Sequence, residues 1–358
     1  MKAIGYRQPL PIAHPDALLD LDLPEPQASG RDLLVEVKAV SVNPVDTKVR
    51  QRAAPANGDH KVLGWDAAGV VRAAGPDVTL FKPGDEVWYA GALARSGSNA
   101  QLQLVDERIV GHKPRSLDFS QAAALPLTAI TAWELLFDRL EIPRLAPALR
   151  TPAENADALL IIGAGGGVGS ILTQLAHELT DLKIIATASR PETRQWLEDM
   201  GAHVVIDHSQ PLAAQIKALG LPPVRYVVCL NQTDQHLPQI VETIAPQGRF
   251  GLIDDPAHFD ATAFKQKSVS IHWEFMFTRA AFETPDMITQ HELLNAVADL
   301  VDAGHLRSTV AGHFGTINAA NLKRAHALIE SGKAKGKIVL EGFDDGPVGD
   351  ATFGQTLP

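Results

Sequence analysis

The alternation of apolar and polar residues divides the chain into stretches of different character. Leu34-Val35-Glu36-Val37-Lys38-Ala39-Val40 keeps the period of two that a half-buried strand requires. Gly69–Ala73 and Glu86–Tyr89 read as further strands, the second following the turn Pro83-Gly84-Asp85. Short apolar runs broken by Gly, Pro and Asp over residues 33–125 predict a small β-barrel or folded sheet. Over 127–140 the period lengthens, and Ile130, Trp133, Leu136, Phe137 and Leu140 fall on one face of a helix. Arg144 to Ala156, with Pro147 and Pro152, reads as a loop. Strands and helices then alternate: Ala158–Ile162, a helix Val168–Leu179, Lys183–Ala188, a helix near Thr193–Met200, Val204–Ile206, a helix Leu212–Leu219, Arg225–Leu230, a helix Leu237–Ile244, and Arg249–Ile253. That rhythm predicts an α/β fold with a doubly wound parallel sheet. Helices at Asp286–Ala303 and Asn318–Ser331 and a strand at Gly336–Leu340 follow, and the Gly-rich Asp344–Pro358 reads as a loose tail.

Composition narrows the function classes. A chain of 358 residues with 45% hydrophobic and 21% charged residues has apolar material for two cores. The net charge of -10 disfavours a nucleic-acid partner, whose phosphates such a surface repels on average. The single cysteine, Cys229, lies in Val227-Val228-Cys229-Leu230 and is expected in the core. Alone it forms no internal disulfide, which fits a reducing, cytoplasmic setting. Met1–His14 has no apolar stretch of signal-peptide length. Ala158–Ala176 carries no charge, but its glycines and polar residues make it strand, tight loop and helix rather than a membrane span.

That tight loop is Gly163-Ala164-Gly165-Gly166-Gly167-Val168-Gly169-Ser170, placed between a strand and a helix. Such a context suits backbone N–H groups approaching a pyrophosphate at a helix N-terminus, where Cβ atoms would obstruct. The workable register is Ala164, Gly166 and Gly169, because Val168 breaks the frame that starts at Gly163. A tightly packed glycine turn without ligand is the alternative. Past the second strand of this unit there is no Asp or Glu to bind a ribose 2′-hydroxyl; Ser189 and Arg190 follow, with Arg194 one turn later. A hydroxyl and guanidinium groups suit the 2′-phosphate of NADPH. Alternatively, these arginines only decorate a helix start.

Together and in this order, Ser41–Asp46 (SVNPVD), Leu63–Val71 (LGWDAAGVV), Lys82–Val87 (KPGDEV), Ala122–Ala129 (AAALPLTA), the glycine loop and Gly332–Leu340 (GKAKGKIVL) resemble the medium-chain dehydrogenase/reductase superfamily, in its quinone-oxidoreductase-like branch. Phe275–Arg279 through Thr284–Met287 is similar to a bacterial subgroup labelled zinc-type alcohol dehydrogenase-like. The resemblance implies a Rossmann domain, residues 129–278, inserted into a discontinuous GroES-like catalytic domain, residues 1–128 and 279–358. The active cleft would lie between them. It also implies a homodimer, with Ser268–Phe277 as the candidate contact.

Zinc is not expected. The zinc-dependent relatives place Cys where this chain has Asn43 and a His–Glu pair where it has Trp65-Asp66. An amide and an indole are not zinc donors, whereas a catalytic zinc takes three protein ligands. The resemblance implies that Asn43 sits by the nicotinamide ribose and acceptor, that Asp46 orients that corner, and that Thr128 touches the nicotinamide side. Asn43-Pro44-Val45-Asp46 also suits a turn with local side-chain caps. Many quinone-reductase relatives carry Tyr two residues beyond the Asp; here it is Lys48, so Lys48, Tyr89 or water is the expected proton donor. The expected activity is NADPH-dependent reduction of a small quinone or α,β-unsaturated carbonyl without metal. The rivals are a zinc-dependent alcohol dehydrogenase and a non-catalytic NADPH-binding sensor or structural protein.

Overall fold

The computed structural model describes residues 1–55, 59–147, 156–221 and 224–343. The tail Asp344–Pro358 and part of the expected loop 144–156 lie outside the described residues.

Strands β1 (Lys2–Tyr6), β2 (Leu19–Asp22), β3 (Asp32–Val42), β4 (Lys61–Val62), β5 (Ala67–Ala74), β6 (Glu86–Tyr89), β7 (Leu102–Asp106) and β8 (Val110–His112) come first. Then come β9 (Ala158–Ile162), β10 (Lys183–Thr187), β11 (Val204–Ile206), β12 (Val224–Cys229), β13 (Ile244–Leu252) and β14 (Ser270–Trp273), and last β15 (Val310–His313) and β16 (Lys337–Glu341). β2-β1-β4 form a three-stranded sheet, and the last two strands return to the sheet of β3, whose order is β15-β16-β3-β5-β6-β8, with β7 also on β3. Leu33, Val35, Val37 and Ala39 of β3 point inward, as its alternation predicts. From Val40 onward both faces are covered, where β16 pairs antiparallel with it, Leu340 opposite Val40 and Ile338 opposite Val42.

The intervening sheet runs β11-β10-β9-β12-β13-β14, with every pair parallel. In its own numbering this is 3-2-1-4-5-6, with the order reversing between β9 and β12. Helices cover both faces, so the central strand β9 is apolar throughout and every residue of it is buried. Successive residues go to opposite cores: Leu159, Ile161 and Val228 to one, Leu160, Ile162, Val227 and Cys229 to the other. The fold thus combines a Rossmann-type sheet and a separate β-rich GroES-like part.

The stretch after Pro126 departs from expectation. Pro126–Trp133 is α-helical, but Glu134–Arg139 widens into a π-helix. Every side chain from Ala122 to Leu136 is buried, so the expected one-sided helix is corrected to a segment wrapped all round. Strand β14 forms one edge of the parallel sheet, and Trp273 and Phe275, within the expected contact segment, are each 51% exposed. Among the described residues no helix is long and apolar enough to cross a membrane.

Candidate active site

Strand β9 runs into the glycine loop, and Gly166 caps the helix Gly167–Leu179. A Cβ at Gly169 would lie 2.3 Å from the Ala164 carbonyl oxygen, so helix and loop touch backbone to backbone. Ala164 and Gly169 are buried, while Gly165, Gly166, Gly167 and Val168 stay partly open. The N–H groups of the helix's first turn have no intrahelical partner and stand at its positive end. The result is a cradle shaped for a phosphate. A Cβ at Gly167 would meet the stem of Lys337 at 2.7 Å and the Thr128 methyl at 3.1 Å. Thr128 therefore touches the loop through its methyl, while its hydroxyl donates to the Leu125 carbonyl (3.0 Å).

At the far end of the cradle, Ser189, Arg190, Arg194, Gln195, Glu198 and Asp207 line a cavity of about 190 Å³. Parallel pairing of Thr187 with Ile206 carries the ends of β10 and β11 to this one edge. Arg190 is 44% exposed, with Glu192 at 3.6 Å. Arg194 donates to the Val205 carbonyl. Asp207 went unnoticed in the sequence because it ends β11 rather than β10. Hydrogen bonds from the Ser209 N–H and hydroxyl hold its carboxyl below the usual range. This rim therefore sets two guanidinium groups, Arg190 and Arg194, beside two carboxylates, Glu198 and Asp207.

The third feature is a buried polar cluster. Asp66 is fully buried, and Asn43, Asp46, Ser41 and Lys337 are each no more than 3% exposed. Asp66 Oδ2 accepts from Ser41 Oγ (2.9 Å), Asn43 Nδ2 (2.8 Å) and Lys337 Nζ (2.9 Å). Its Oδ1 accepts from the Leu127 N–H (2.8 Å). Lys337 Nζ also donates to Asn43 Oδ1 and to the Val42 carbonyl (3.2 Å). An acid in the apolar run Trp65-Asp66-Ala67-Ala68 has to find a partner to be buried, and the cation is supplied from β16. Asp46 Oδ2 accepts the Asn43 N–H (2.7 Å) at the start of the helix Pro44–Arg52, which is a local cap. Burial pushes Asp46 up to about 7, against the pull of the Asn43 N–H and of Lys337.

The family described as alcohol dehydrogenase GroES-like domain matches residues 29–115, and the zinc-binding dehydrogenase family matches residues 200–340. A zinc-type alcohol dehydrogenase-like protein of Staphylococcus aureus is 42% identical, covering 95% of this chain and 99% of its own length. The chain belongs to the medium-chain dehydrogenase/reductase superfamily. Among solved structures, a proposed zinc-dependent alcohol dehydrogenase from Rhizobium etli superposes on this oxidoreductase with a TM-score of 0.91 at 58% identity, covering 96% of this chain and 98% of that one. The quinone oxidoreductase of Escherichia coli, solved with NADPH, shares the fold at a TM-score of 0.78 and 23% identity, covering 95% of this chain and 100% of that one.

The zinc in some of these names does not fit the side chains of this oxidoreductase. Asn43 offers an amide that is already engaged, the Trp65 indole donates to the Ala92 carbonyl (3.3 Å), and an ammonium stands against Asp66. A lysine cation on the remaining carboxylate repels a second cation. Of the other expected residues, Lys48 lies at the surface with its Nζ 2.9 Å from Asp255. Tyr89 is fully buried on β6, its hydroxyl without a hydrogen bond, and burial raises its pKa. Neither shares a hydrogen bond with the Asn43 cluster. Lys337 and Asp66 were visible only as motif letters. The usable signal was an acid and a lysine inside otherwise apolar runs.

Proposed function

We propose that this oxidoreductase uses NADPH to reduce quinones or α,β-unsaturated carbonyls without a metal. The observation that carries this reading is the Asn43–Asp66–Lys337 cluster, which fills with an internal ion pair the positions where zinc-dependent relatives carry ligands. The NADPH-bound quinone oxidoreductase of the same fold is in keeping with it.

Residues 165–169 would hold the pyrophosphate at the helix N-terminus, and Ser189, Arg190 and Arg194 the 2′-phosphate. Bound NADPH supplies hydride. Without a metal, nothing at the cluster lowers the pKa of a simple alcohol. A conjugated carbonyl asks less: it needs a donor for the oxygen on which negative charge grows, and alignment. Asn43 Nδ2 is the donor at this corner, and Thr128 walls the cradle side. The test is a screen of NADPH oxidation against quinones, enones, aldehydes and alcohols, using untagged protein before and after a strong chelator. Enone or quinone turnover should survive chelation. Stoichiometric zinc that leaves together with activity, or faster alcohol oxidation, defeats the proposal.

The cofactor preference has its own measurement. Arg190→Ala should weaken NADPH roughly tenfold, the equivalent of about 1.4 kcal/mol for one charged contact, and leave NADH unchanged. Equal affinity of the unmodified protein for the two cofactors, by fluorescence titration, would show that Asp207 outweighs the arginines.

A further inference from the structure

We infer that Lys337 is a positioning residue that fixes the orientation of the Asn43 amide. The inference rests on the reaction proposed above and adds a residue that acts at a distance in sequence but not in space. An ammonium can only donate, and an ionised carboxylate can only accept. Asn43 sits between one of each: its Oδ1 takes a hydrogen bond from Lys337 Nζ, and its Nδ2 gives one to Asp66 Oδ2 at 2.8 Å. The flipped amide would place oxygen against oxygen and nitrogen against nitrogen, so one orientation is enforced. In that orientation the second Nδ2 hydrogen has only a long contact, 3.4 Å, to the Trp65 carbonyl. That hydrogen is the least committed one of this buried amide.

Lys337 is itself fixed. The preceding Gly336 N–H donates to the Gly165 carbonyl (3.0 Å), and the Lys337 N–H to the Thr309 carbonyl (2.8 Å). The side-chain stem passes beside Gly167, and the three Nζ hydrogens are used on Val42, Asn43 and Asp66. Lys337 therefore has no hydrogen to spare for substrate, and its effect passes through Asn43.

The test compares Asn43→Ala, the charge-balanced pair Lys337→Met with Asp66→Asn, and all three changes together. Balancing the charge avoids leaving Asp66 buried alone, the change most apt to unfold the protein. The charge-balanced variant should lose roughly a hundredfold in kcat on an enone or quinone, the scale of one misdirected donor. Its Kd for NADPH should stay within about threefold, and adding Asn43→Ala should cost less than about threefold more, because residues acting as one unit are not additive. Unchanged kcat, NADPH affinity that falls in step with kcat, or multiplied losses in the triple variant would each overturn the inference. A second readout needs no substrate. The Asn43 side-chain NH2 resonances, assigned by their loss in Asn43→Ala, should be sharp in the unmodified protein and broadened by exchange in the charge-balanced variant. Sharp resonances in both overturn the positioning role even if no acceptor is ever turned over. Broadening without any turnover leaves the positioning intact and counts only against the proposed reaction.

Discussion

Replacing Arg279 with alanine should lower the unfolding free energy by about 3–5 kcal/mol, read by denaturant titration, because it strands a buried carboxylate. Arg279 is 7% exposed and Glu134 is fully buried. The guanidinium spreads its nitrogens over three acids: Nη1 to Glu134 (2.5 Å), Nη2 to Asp138 (3.0 Å) and Nε to Asp286 (3.0 Å). This single side chain ties the π-helical turn Glu134–Arg139 to the helix Thr278–Phe282 and the turn after it. Asp138 and Asp286 are partly hydrated and will tolerate the loss, so most of the effect falls on Glu134. Arg139 is a poor substitute, since it is committed to Glu274 at 2.9 Å and reaches Glu134 only at 3.6 Å. Burial and the neighbouring Glu134 push the Glu274 carboxyl above its usual range, and Arg139 pulls it back. Arg279→Lys should recover only part of the stability, since an ammonium cannot present a planar fork to three acids. A loss below about 1 kcal/mol would place the network among screened surface pairs.

The second large effect is expected at Gly169. Gly169→Val should abolish measurable NADPH binding and destabilise the fold by about 3 kcal/mol or more, as overpacking in a closed core does. The new Cβ would sit within 2.5 Å of three backbone atoms of Ala164, none of which can swing away. Gly166→Ala separates the two effects. Its Cβ meets nothing nearer than the Gly163 carbonyl oxygen at 3.8 Å, so the fold should hold while the methyl intrudes on the cradle. Thermal unfolding paired with NADPH titration distinguishes these outcomes. Unimpaired NADPH binding by Gly169→Val would mean that the pyrophosphate does not lie at this helix.

What could be read in advance follows from how local each signal is. The glycine loop announced itself because strand, turn and helix are contiguous, and the central parallel strands because each carries a short apolar run, such as Ala158–Ile162 and Val204–Ile206. The stretch after Pro126 misled because burial on every side removes the polar face that periodicity needs, so Phe137 and Leu136 gave no warning of the π-helical turn. Strands β1 and β2 escaped because runs as short as Lys2–Tyr6 and Leu19–Asp22 carry little pattern of their own. Asn43 was legible as a candidate; its partner Lys337 was not, since only the pairing of β16 with β3 brings them together. Asp207 belongs to the same class, joining Ser189 and Arg190 only through strand pairing.

The link between Lys337 and Asp66 spans 271 positions of sequence. Synthesis from the N-terminus therefore completes Asn43, Asp66 and the whole glycine loop long before Lys337, the cation that pairs with Asp66. Until β16 arrives, Asp66 has no internal cation, and burying it in its apolar surroundings is opposed. One late strand then does three things at once: it pairs with β3, hydrogen-bonds the glycine loop through Gly336, and delivers the ammonium. A nascent chain stopped short of β16 lacks that ammonium.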